Sequence, residues 1–218
     1  LEADDAKALL RRRGFDQPDR VLELLDALRS SRFYHAFSSL GRDRLDRLMP
    51  AVLVECSNSA APMVALSRLI SVIEAIGRRS AYLSLLSENP LALSQLVTLI
   101  TASRGISNWI GLHPVILDEL LDPIGSYQTQ SRTEIKAELS RKVMAVKTND
   151  LEALMDLLRE YQQGYSLRLA AADIAGLISR AELSTALCDL AEIILEQALT
   201  ISAANLSPTQ IPGILQRI

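Results

Sequence analysis

Four acidic residues near the end of the chain have the spacing of a single helix face. Glu182, Asp189, Glu192 and Glu196 are separated by seven, three and four residues, so an α-helix would place them in one stripe. Such a stripe usually faces solvent, and the alternative is a docking surface for a basic partner. The chemistry that it could support is recognition by charge.

A second group of carboxylates lies near the middle of the chain. Asp118, Glu119 and Asp122 are close in sequence, and on an α-helix Asp118 and Asp122 would share a face at i,i+4. They could hold a divalent cation, but dedicated cation sites use more oxygen ligands. A solvated face or a salt bridge to arginine is therefore the favoured interpretation.

The histidines and cysteines do not form a metal-binding pattern. His35 and His113 are far apart, and neither has a cysteine or a second histidine at ligand spacing. His113 precedes Pro114, which predicts a helix start. We expect Cys56 and Cys188 to behave as small buried hydrophobic residues in a reducing cytoplasm, without a disulfide.

Arginine residues are the remaining candidates, because they could bind phosphate. More often such residues are solvated or paired with neighbouring acids. Gly125 and Ser126 lack the strand–glycine–helix context of a phosphate loop, and no nucleophile–base pair is evident. We therefore predict no catalytic, cofactor-binding or metal-binding residue in this chain. The arginines considered are Arg11, Arg12, Arg13, Arg78, Arg79 and Arg104.

Composition indicates what kind of fold positions these residues. The chain has 218 residues, of which 49% are hydrophobic and only 4% aromatic. A core of Leu, Ile, Val and Ala favours helices over sheets, so we predict a soluble, all-α protein. The net charge of −3 argues against nucleic acid or an anionic membrane as the main partner. Because the first residue is Leu1 and not methionine, we expect a piece of a longer protein.

Periodicity predicts roughly ten helices, and the last two form a long antiparallel hairpin. The hairpin spans 150–204 and turns at Ser179, where Ser179 and Glu182 form an S-x-x-E capping pattern. Small residues (Ala171, Ala172, Ala175 and Gly176) are expected to let its two helices approach closely. Each helix has one predicted face of residues that recur at helical spacing. In the first helix these residues are Leu151, Leu154, Leu158, Tyr161, Tyr165, Leu169, Ala172 and Gly176, and in the second they are Leu183, Leu187, Leu190, Ile194 and Ile201. Pro50 is expected to kink or divide the helix predicted at 40–56. Asp16 is predicted to cap a helix with Pro18 in its first turn, and a helix is predicted at 90–102. Ser131 and Glu134 form a second S-x-x-E pattern that predicts a helix start. The predicted division is an N-terminal helical segment at 1–57, a helical bundle domain at 58–206 and a linker at 207–218.

Three blocks, in this order, resemble the family of bifunctional glutamine synthetase adenylyltransferase/adenylyl-removing enzymes. They are RRSAYLSLLSENPLALSQLVTLITAS, NWIGLHPVILDELLDP and SLRLAAADIAGLISRAELSTALCDLAEIILEQAL. The resemblance covers roughly 10–204 and is strongest at 78–83, 113–123 and 167–195. The joint order of the three blocks is far more specific than any one of them.

The resemblance implies an enzyme with two nucleotidyltransferase domains, each with its own helical region. One half removes AMP from glutamine synthetase, and the other transfers AMP from ATP to it, under control of PII signal proteins and glutamine. Catalysis in the family uses a G-S-D-x-D motif whose aspartates hold Mg²⁺. This chain lacks that motif. It resembles the helical region before the C-terminal catalytic domain, so we expect it to be inactive alone.

A different class of function stays open at this stage. The chain could be a free-standing all-α protein-interaction module with no enzymatic role. A G-S-D-x-D domain encoded downstream in the same reading frame would eliminate this alternative.

Overall fold

The computed structural model describes residues 3–77, 79–124, 130–146 and 150–205. These ranges contain eleven α-helices, one 3₁₀-helix and no strand, which confirms the all-α prediction. The helices are α1 (Ala3–Arg12), α2 (Pro18–Ser30), α3 (Arg32–Ala36), α4 (Ser39–Ser57), α5 (Pro62–Ile76), α6 (Ser80–Glu88), α7 (Pro90–Ala102), α8 (Arg104–Leu112), the 3₁₀-helix (Pro114–Leu121), α9 (Arg132–Ala145), α10 (Leu151–Ile174) and α11 (Arg180–Asn205).

The chain divides into two compact units, Leu1–Ile124 and Gly125–Ile218, called here the first and second units. This division reflects the density of contacts within each unit. The sequence-based division at 57/58 and 206/207 rests instead on loop composition, and it stays a prediction. The predicted linker at 207–218 lies outside the described residues.

The core of the first unit is built around α5 and α7. Both helices are apolar on more than one face, as expected of helices surrounded by others. α5 packs against α4, α7 and α8, and α7 also packs against α6 and the 3₁₀-helix. Their fully or nearly fully buried residues are Ala65, Leu66, Leu69, Val72, Ile73, Ile76, Ala92, Leu93, Leu96, Leu99 and Ile100.

Helix α4 continues through Pro50, so the predicted division of this helix does not occur. A proline inside a helix removes one backbone hydrogen bond and costs about 3 kcal/mol relative to alanine. The buried face on both sides of Pro50 offsets this cost. Leu45, Leu48, Val52 and Cys56 are all completely buried along that face.

Two aromatic side chains, one in the short helix α3 and one directly after it, pack on glycines. Phe33 and Phe37 contact each other edge to face with ring centroids 4.7 Å apart. A Cβ at Gly77 would lie 2.7 Å from Cε2 of Phe33, and one at Gly41 would lie 2.7 Å from Cδ1 of Phe37. Both distances are shorter than van der Waals contact. The rings therefore reach the backbone at the end of α5 and near the start of α4 only because these residues are glycines.

The second unit is a packing of α9, α10 and α11. The predicted hairpin is confirmed, with its turn at Ser179 and its helices packed together. Five residues of the predicted α10 series lie in this core, whereas Leu151, at the start of the series, is 46% exposed. The buried residues shared by the three helices are Ile135, Leu139, Leu154, Leu158, Tyr161, Tyr165, Leu169, Ala186, Leu190, Ile193 and Ile201.

Two details of the hairpin prediction are wrong. Leu187, predicted on the buried face of α11, is 40% exposed, while Ala186 and Ile193 are buried. α11 packs against both α9 and α10. The residues that it buries are therefore those that lie between these two helices, and they differ from the residues that packing on α10 alone would bury. The predicted small-residue seam is also not the contact between the helices: Ala171 and Ala172 are buried outside the shared cluster, and a Cβ at Gly176 would meet nothing within 4 Å. Large aliphatic and tyrosine side chains fill the contact.

Local signals placed several helix ends correctly. The capping box predicted at Ser131 and Glu134 is present, and Ser179 accepts a hydrogen bond from the backbone N–H of Glu182. The predicted cap Asp16 is wrong, because α2 begins after Gln17. Within the described ranges, no single helix is long and apolar enough to cross a membrane. α6 and α7 together have the length and apolar composition of a membrane span, but the pair is bent by 102°.

Candidate functional site

The acidic stripe of α11 is bound from within the same unit. Arg132 of α9 contacts three of its carboxylates: Asp189 at 3.3 Å, Glu196 at 2.9 Å, and Glu192. Lys136, one turn further along α9, contacts Glu196 at 2.6 Å. We call these five residues the Arg132 clasp. The clasp joins the polar edges of two helices whose apolar faces share the core.

The charges of the clasp stabilise one another. Glu192 first, then Asp189 and Glu196, raise the pKa of Arg132. Lys136 first, and then Arg132, hold the pKa of Glu196 below its usual value of 4.5. The fourth acidic residue, Glu182, accepts the backbone N–H of Ser179 at 2.7 Å as part of the α11 cap. The stripe is therefore a structural network in which each carboxylate already has a partner.

A tyrosine pair extends the polar contacts of α9 and α10. The hydroxyl of Tyr161 donates to the carboxylate of Glu138 at 3.3 Å, and its ring lies 6.1 Å from that of Tyr165. Burial, followed by the charge of Glu138, raises the pKa of Tyr161. Lys142 lies over the Tyr161 ring, 5.7 Å from its centroid. Since this tyrosine stays protonated and buried, its geometry is that of a core residue with a satisfied hydroxyl.

The mid-chain carboxylates do not share a helix face. Residues 114–121 form a 3₁₀-helix, and Asp122 follows its end in an extended conformation. With three residues per turn, a 3₁₀-helix does not align side chains four apart. The i,i+4 prediction for Asp118 and Asp122 is therefore wrong. Partial burial first, then Glu119, raises the pKa of Asp118, which is the opposite of what a cation would do.

Gln95 fixes the end of this 3₁₀-helix, and sequence reasoning did not identify it. Its side chain is 6% exposed, and its amide nitrogen donates to the carbonyls of Leu120 at 2.7 Å and Asp122 at 2.8 Å. Its amide oxygen accepts the backbone N–H of Ile124. A single amide side chain within the largely apolar helix α7 was the available signal, since its partners lie 25 or more residues away.

The histidines and cysteines are placed separately. His35 is exposed on α3, and His113 lies between α8 and the 3₁₀-helix, which confirms its predicted place at a helix start. Cys56 is buried as predicted, and burial raises its pKa to about 12. The same prediction for Cys188 is wrong, because this residue is exposed. Across the described residues, no group of three or more His, Cys, Asp or Glu side chains could hold a metal ion.

The arginines considered for phosphate binding differ in environment. Arg11, Arg12, Arg13 and Arg79 are exposed, while Arg78 and the Gly125–Ser126 pair lie outside the described residues. Arg104 is the first residue of α8 and lines a cleft of the first unit. Arg20 and Arg68 line the same cleft as Arg104.

Comparison with known proteins gives a consistent result across the chain. A family model described as glutamate-ammonia ligase adenylyltransferase matches residues 93–213, which is more than half of the chain. The chain is 41% identical over 201 residues to the bifunctional glutamine synthetase adenylyltransferase/adenylyl-removing enzyme of Thioalkalivibrio sulfidiphilus, covering 92% of this chain and 21% of that protein.

Further relatives carry the same name. The enzyme of Nitrosococcus oceani is 39% identical, over 91% of this chain and 20% of its own length. That of Pseudomonas putida is 38% identical, over 92% of this chain and 21% of its own length. The chain thus spans about a fifth of the length of these relatives. The chain belongs to the glutamate-ammonia ligase adenylyltransferase family.

Proposed function

We propose that this chain is a non-catalytic helical module of the enzyme that adenylylates and deadenylylates glutamine synthetase. The proposal rests on one combined observation. About nine-tenths of the chain matches a bifunctional glutamine synthetase adenylyltransferase/adenylyl-removing enzyme, and yet its 218 residues contain no G-S-D-x-D motif. The charged clusters support it, because the clasp and the Gln95 contacts hold helices together and do not converge on a reacting atom.

In this proposal, chemistry belongs to a catalytic domain outside these 218 residues. That domain would bind ATP and Mg²⁺, which stabilises the charge of the transferring phosphoryl group. The helical module would scaffold that domain and help to dock glutamine synthetase or transmit signals from PII and glutamine. A cytoplasmic location is part of the proposal, and it fits the two free cysteines.

The exposed face of α11 is the proposed contact with the catalytic domain. Leu187, Leu195 and Leu199 are 40%, 62% and 70% exposed, and Ala191 continues the same i,i+4 series. We call these four residues the α11 apolar stripe. Exposed leucines in one continuous line are typical of an interaction surface. This stripe lies on a different face of α11 from the inward residues Ala186, Leu190 and Ile193.

The proposal is tested by measuring AMP transfer from ATP to glutamine synthetase in the presence of Mg²⁺. The 218-residue chain alone is expected to transfer none. A longer chain that adds the downstream catalytic domain is expected to be active, and a matched variant with its G-S-D-x-D aspartates changed to asparagine is expected to be inactive. Turnover by the 218-residue chain itself would contradict the proposal.

A further inference from the structure

A polar cleft of about 540 Å³ opens in the first unit between α2, α5 and α8. Its volume lies within the range of small-molecule sites. Three arginines line it, one from each helix: Arg20, Arg68 and Arg104. No aspartate or glutamate is among the described residues that line it. The cleft therefore concentrates positive charge from three separate parts of the sequence.

The arginines of the cleft are largely free to bind a ligand. The side chain of Arg104 makes no hydrogen bond or ion pair with any other described residue. Arg68 donates to the carbonyls of Ile100 at 2.6 Å and Thr101 at 2.9 Å, so its guanidinium is held in place without a carboxylate partner. Arg20 pairs with Glu23 at 2.7 Å, but both side chains are more than half exposed, and such pairs are easily exchanged.

Most residues that line the cleft lie in the N-terminal halves of the three helices. The lining residues are Gln17, Arg20, Leu24, Met63, Val64, Ser67, Arg68, Ser71, Arg104, Ser107 and Asn108. The N-terminal caps of α2 and α5, Gln17 and Ala61, make no side-chain capping hydrogen bond, whereas Ser103 caps α8. Uncapped N–H groups leave partial positive charge at a helix start, and anions are stabilised there.

Ser107 adds a hydroxyl group to the lining of the cleft. Ser107 is only 5% exposed, and among the described residues its hydroxyl makes no hydrogen bond. Its oxygen is nevertheless not sealed from solvent, and the residue lines the cleft. Because this oxygen reaches solvent at the cleft, the hydroxyl of Ser107 is available to donate to a bound ligand.

We propose that this cleft binds a small polyanion through phosphate or carboxylate groups. The planar fork of an arginine matches either group with paired hydrogen bonds. Arg68, fixed by the end of α7, would position the anion, and Arg104 and Arg20 would close on it from α8 and α2. The hydroxyl of Ser107 would donate to a further oxygen. This inference concerns the first unit alone and does not depend on the proposed function.

The test is calorimetric titration of the 218-residue chain with inorganic pyrophosphate and, separately, with citrate, in phosphate-free buffer at low salt. Saturable binding of one equivalent is expected. Arg104→Gln is expected to weaken it about tenfold, because the variant loses a charged donor of paired hydrogen bonds to the anion. Tighter binding of pyrophosphate would assign the site to phosphates, and tighter binding of citrate would assign it to carboxylates.

The matched control is Arg159→Gln in the second unit. Arg159 is exposed like Arg20 and makes the same kind of ion pair, with Asp156 three residues away at 2.8 Å. The substitution Arg159→Gln removes one charge outside the cleft, so the affinity for the anion is expected to stay unchanged. Ser107→Ala removes no charge and is expected to weaken binding severalfold, with its folding checked by thermal melting. Absence of saturable binding of both anions up to about 10 mM, or equal weakening by Arg104→Gln and Arg159→Gln, would overturn the proposal.

Discussion

In the second unit Arg132 contacts three carboxylates, whereas in the first unit Arg68 and Arg104 line a cleft with no carboxylate among its described lining residues. The same side chain thus has two uses. Where carboxylates surround it, arginine joins helices and has no binding capacity left. Where only backbone carbonyls hold it, or nothing does, its charge remains available to a ligand.

The helix starts differ between the units in part. α9, α10 and α11 of the second unit begin with capping side chains, Ser131, Asp150 and Ser179. In the first unit serines cap α3, α4 and α8, but α2 and α5 begin without a side-chain cap. The second unit satisfies the charges of its clasp and its helix starts with side chains near its surface. The first unit depends more on buried contacts, such as Gln95 and the glycines under Phe33 and Phe37.

The largest effect is expected from Gln95→Leu in the first unit. The substitution leaves the carbonyls of Leu120 and Asp122 and the N–H of Ile124 without their partner. Losing the partner of buried groups costs about 1–3 kcal/mol each, so we expect a loss of about 3 kcal/mol in the free energy of unfolding in urea. Gln162→Leu, at an exposed position of α10, is the control and should change little. Equal losses of unfolding free energy in both variants would show that the hydrogen bonds of Gln95 do not stabilise the first unit.

A smaller loss is expected from Gly77→Ala. The new Cβ would meet Cε2 of Phe33 at 2.7 Å, so the ring must move from its place at the end of α5. Overpacking of this kind costs about 1–3 kcal/mol, measured as a lower urea midpoint. Gly105→Ala is the matched control, because its Cβ would meet only the Ser103 hydroxyl at 3.5 Å. That variant should be neutral or slightly stabilising, since alanine favours the helix.

Removal of a helix cap in the second unit should cost less again. Ser179→Ala deletes the hydroxyl that accepts the backbone N–H of Glu182, and N-cap losses are typically about 1 kcal/mol. Ser184→Ala, exposed within the same helix, should be silent. Thermal melts of both variants distinguish the outcomes. A Ser179→Ala melt identical to that of Ser184→Ala would mean that the turn is held by packing alone.

The smallest effect is expected from Arg132→Met, and it should depend on salt and pH. The clasp is exposed, so its stabilisation should fade in concentrated salt. The pKa of Glu196 is lower in the folded than in the unfolded state, so its contribution is present above pH 4.5. That contribution is lost as the pH falls through the folded pKa.

The wild-type chain should therefore melt above Arg132→Met at neutral pH and low salt, and the two should converge in acid or high salt. Arg141→Met is the control, because Arg141 is exposed on α9 and has no ion pair among the described residues. A difference that persists in acid would indicate that Arg132 acts through packing of its aliphatic stem.

Local signals were sufficient to predict the helices. α7 begins at Pro90 and ends at Ala102 as predicted, because Asn89-Pro90 starts it and Ser103 follows in an extended conformation. The capping residues Ser131 and Ser179 were found for the same reason, since each bonds within three residues. Asp16 failed as a cap although aspartate is a favoured capping residue, because α2 begins at Pro18 and leaves Gln17 at the N-cap position.

Tertiary contacts decided what local signals could not. The acidic stripe was visible from its period, but its partner Arg132 lies 57 to 64 residues earlier in the chain. Arg104 was noted as a possible phosphate ligand, yet only packing of α2, α5 and α8 brings Arg20 and Arg68 to the same cleft. The exposure of Leu187 likewise followed from α11 packing against two helices at once.

The central claim is that this chain scaffolds a separate catalytic domain, and its most direct test is the affinity between the two. A catalytic domain produced on its own would be titrated with the 218-residue chain, with a Leu195→Asp/Leu199→Asp variant of the α11 apolar stripe, and with Leu112→Asp. Leu112 is 76% exposed in the first unit, which makes it a matched control. We predict saturable binding that the stripe variant weakens by more than about tenfold and the control leaves unchanged. Equal affinity for all three chains, or no binding by the wild-type chain, would contradict the account.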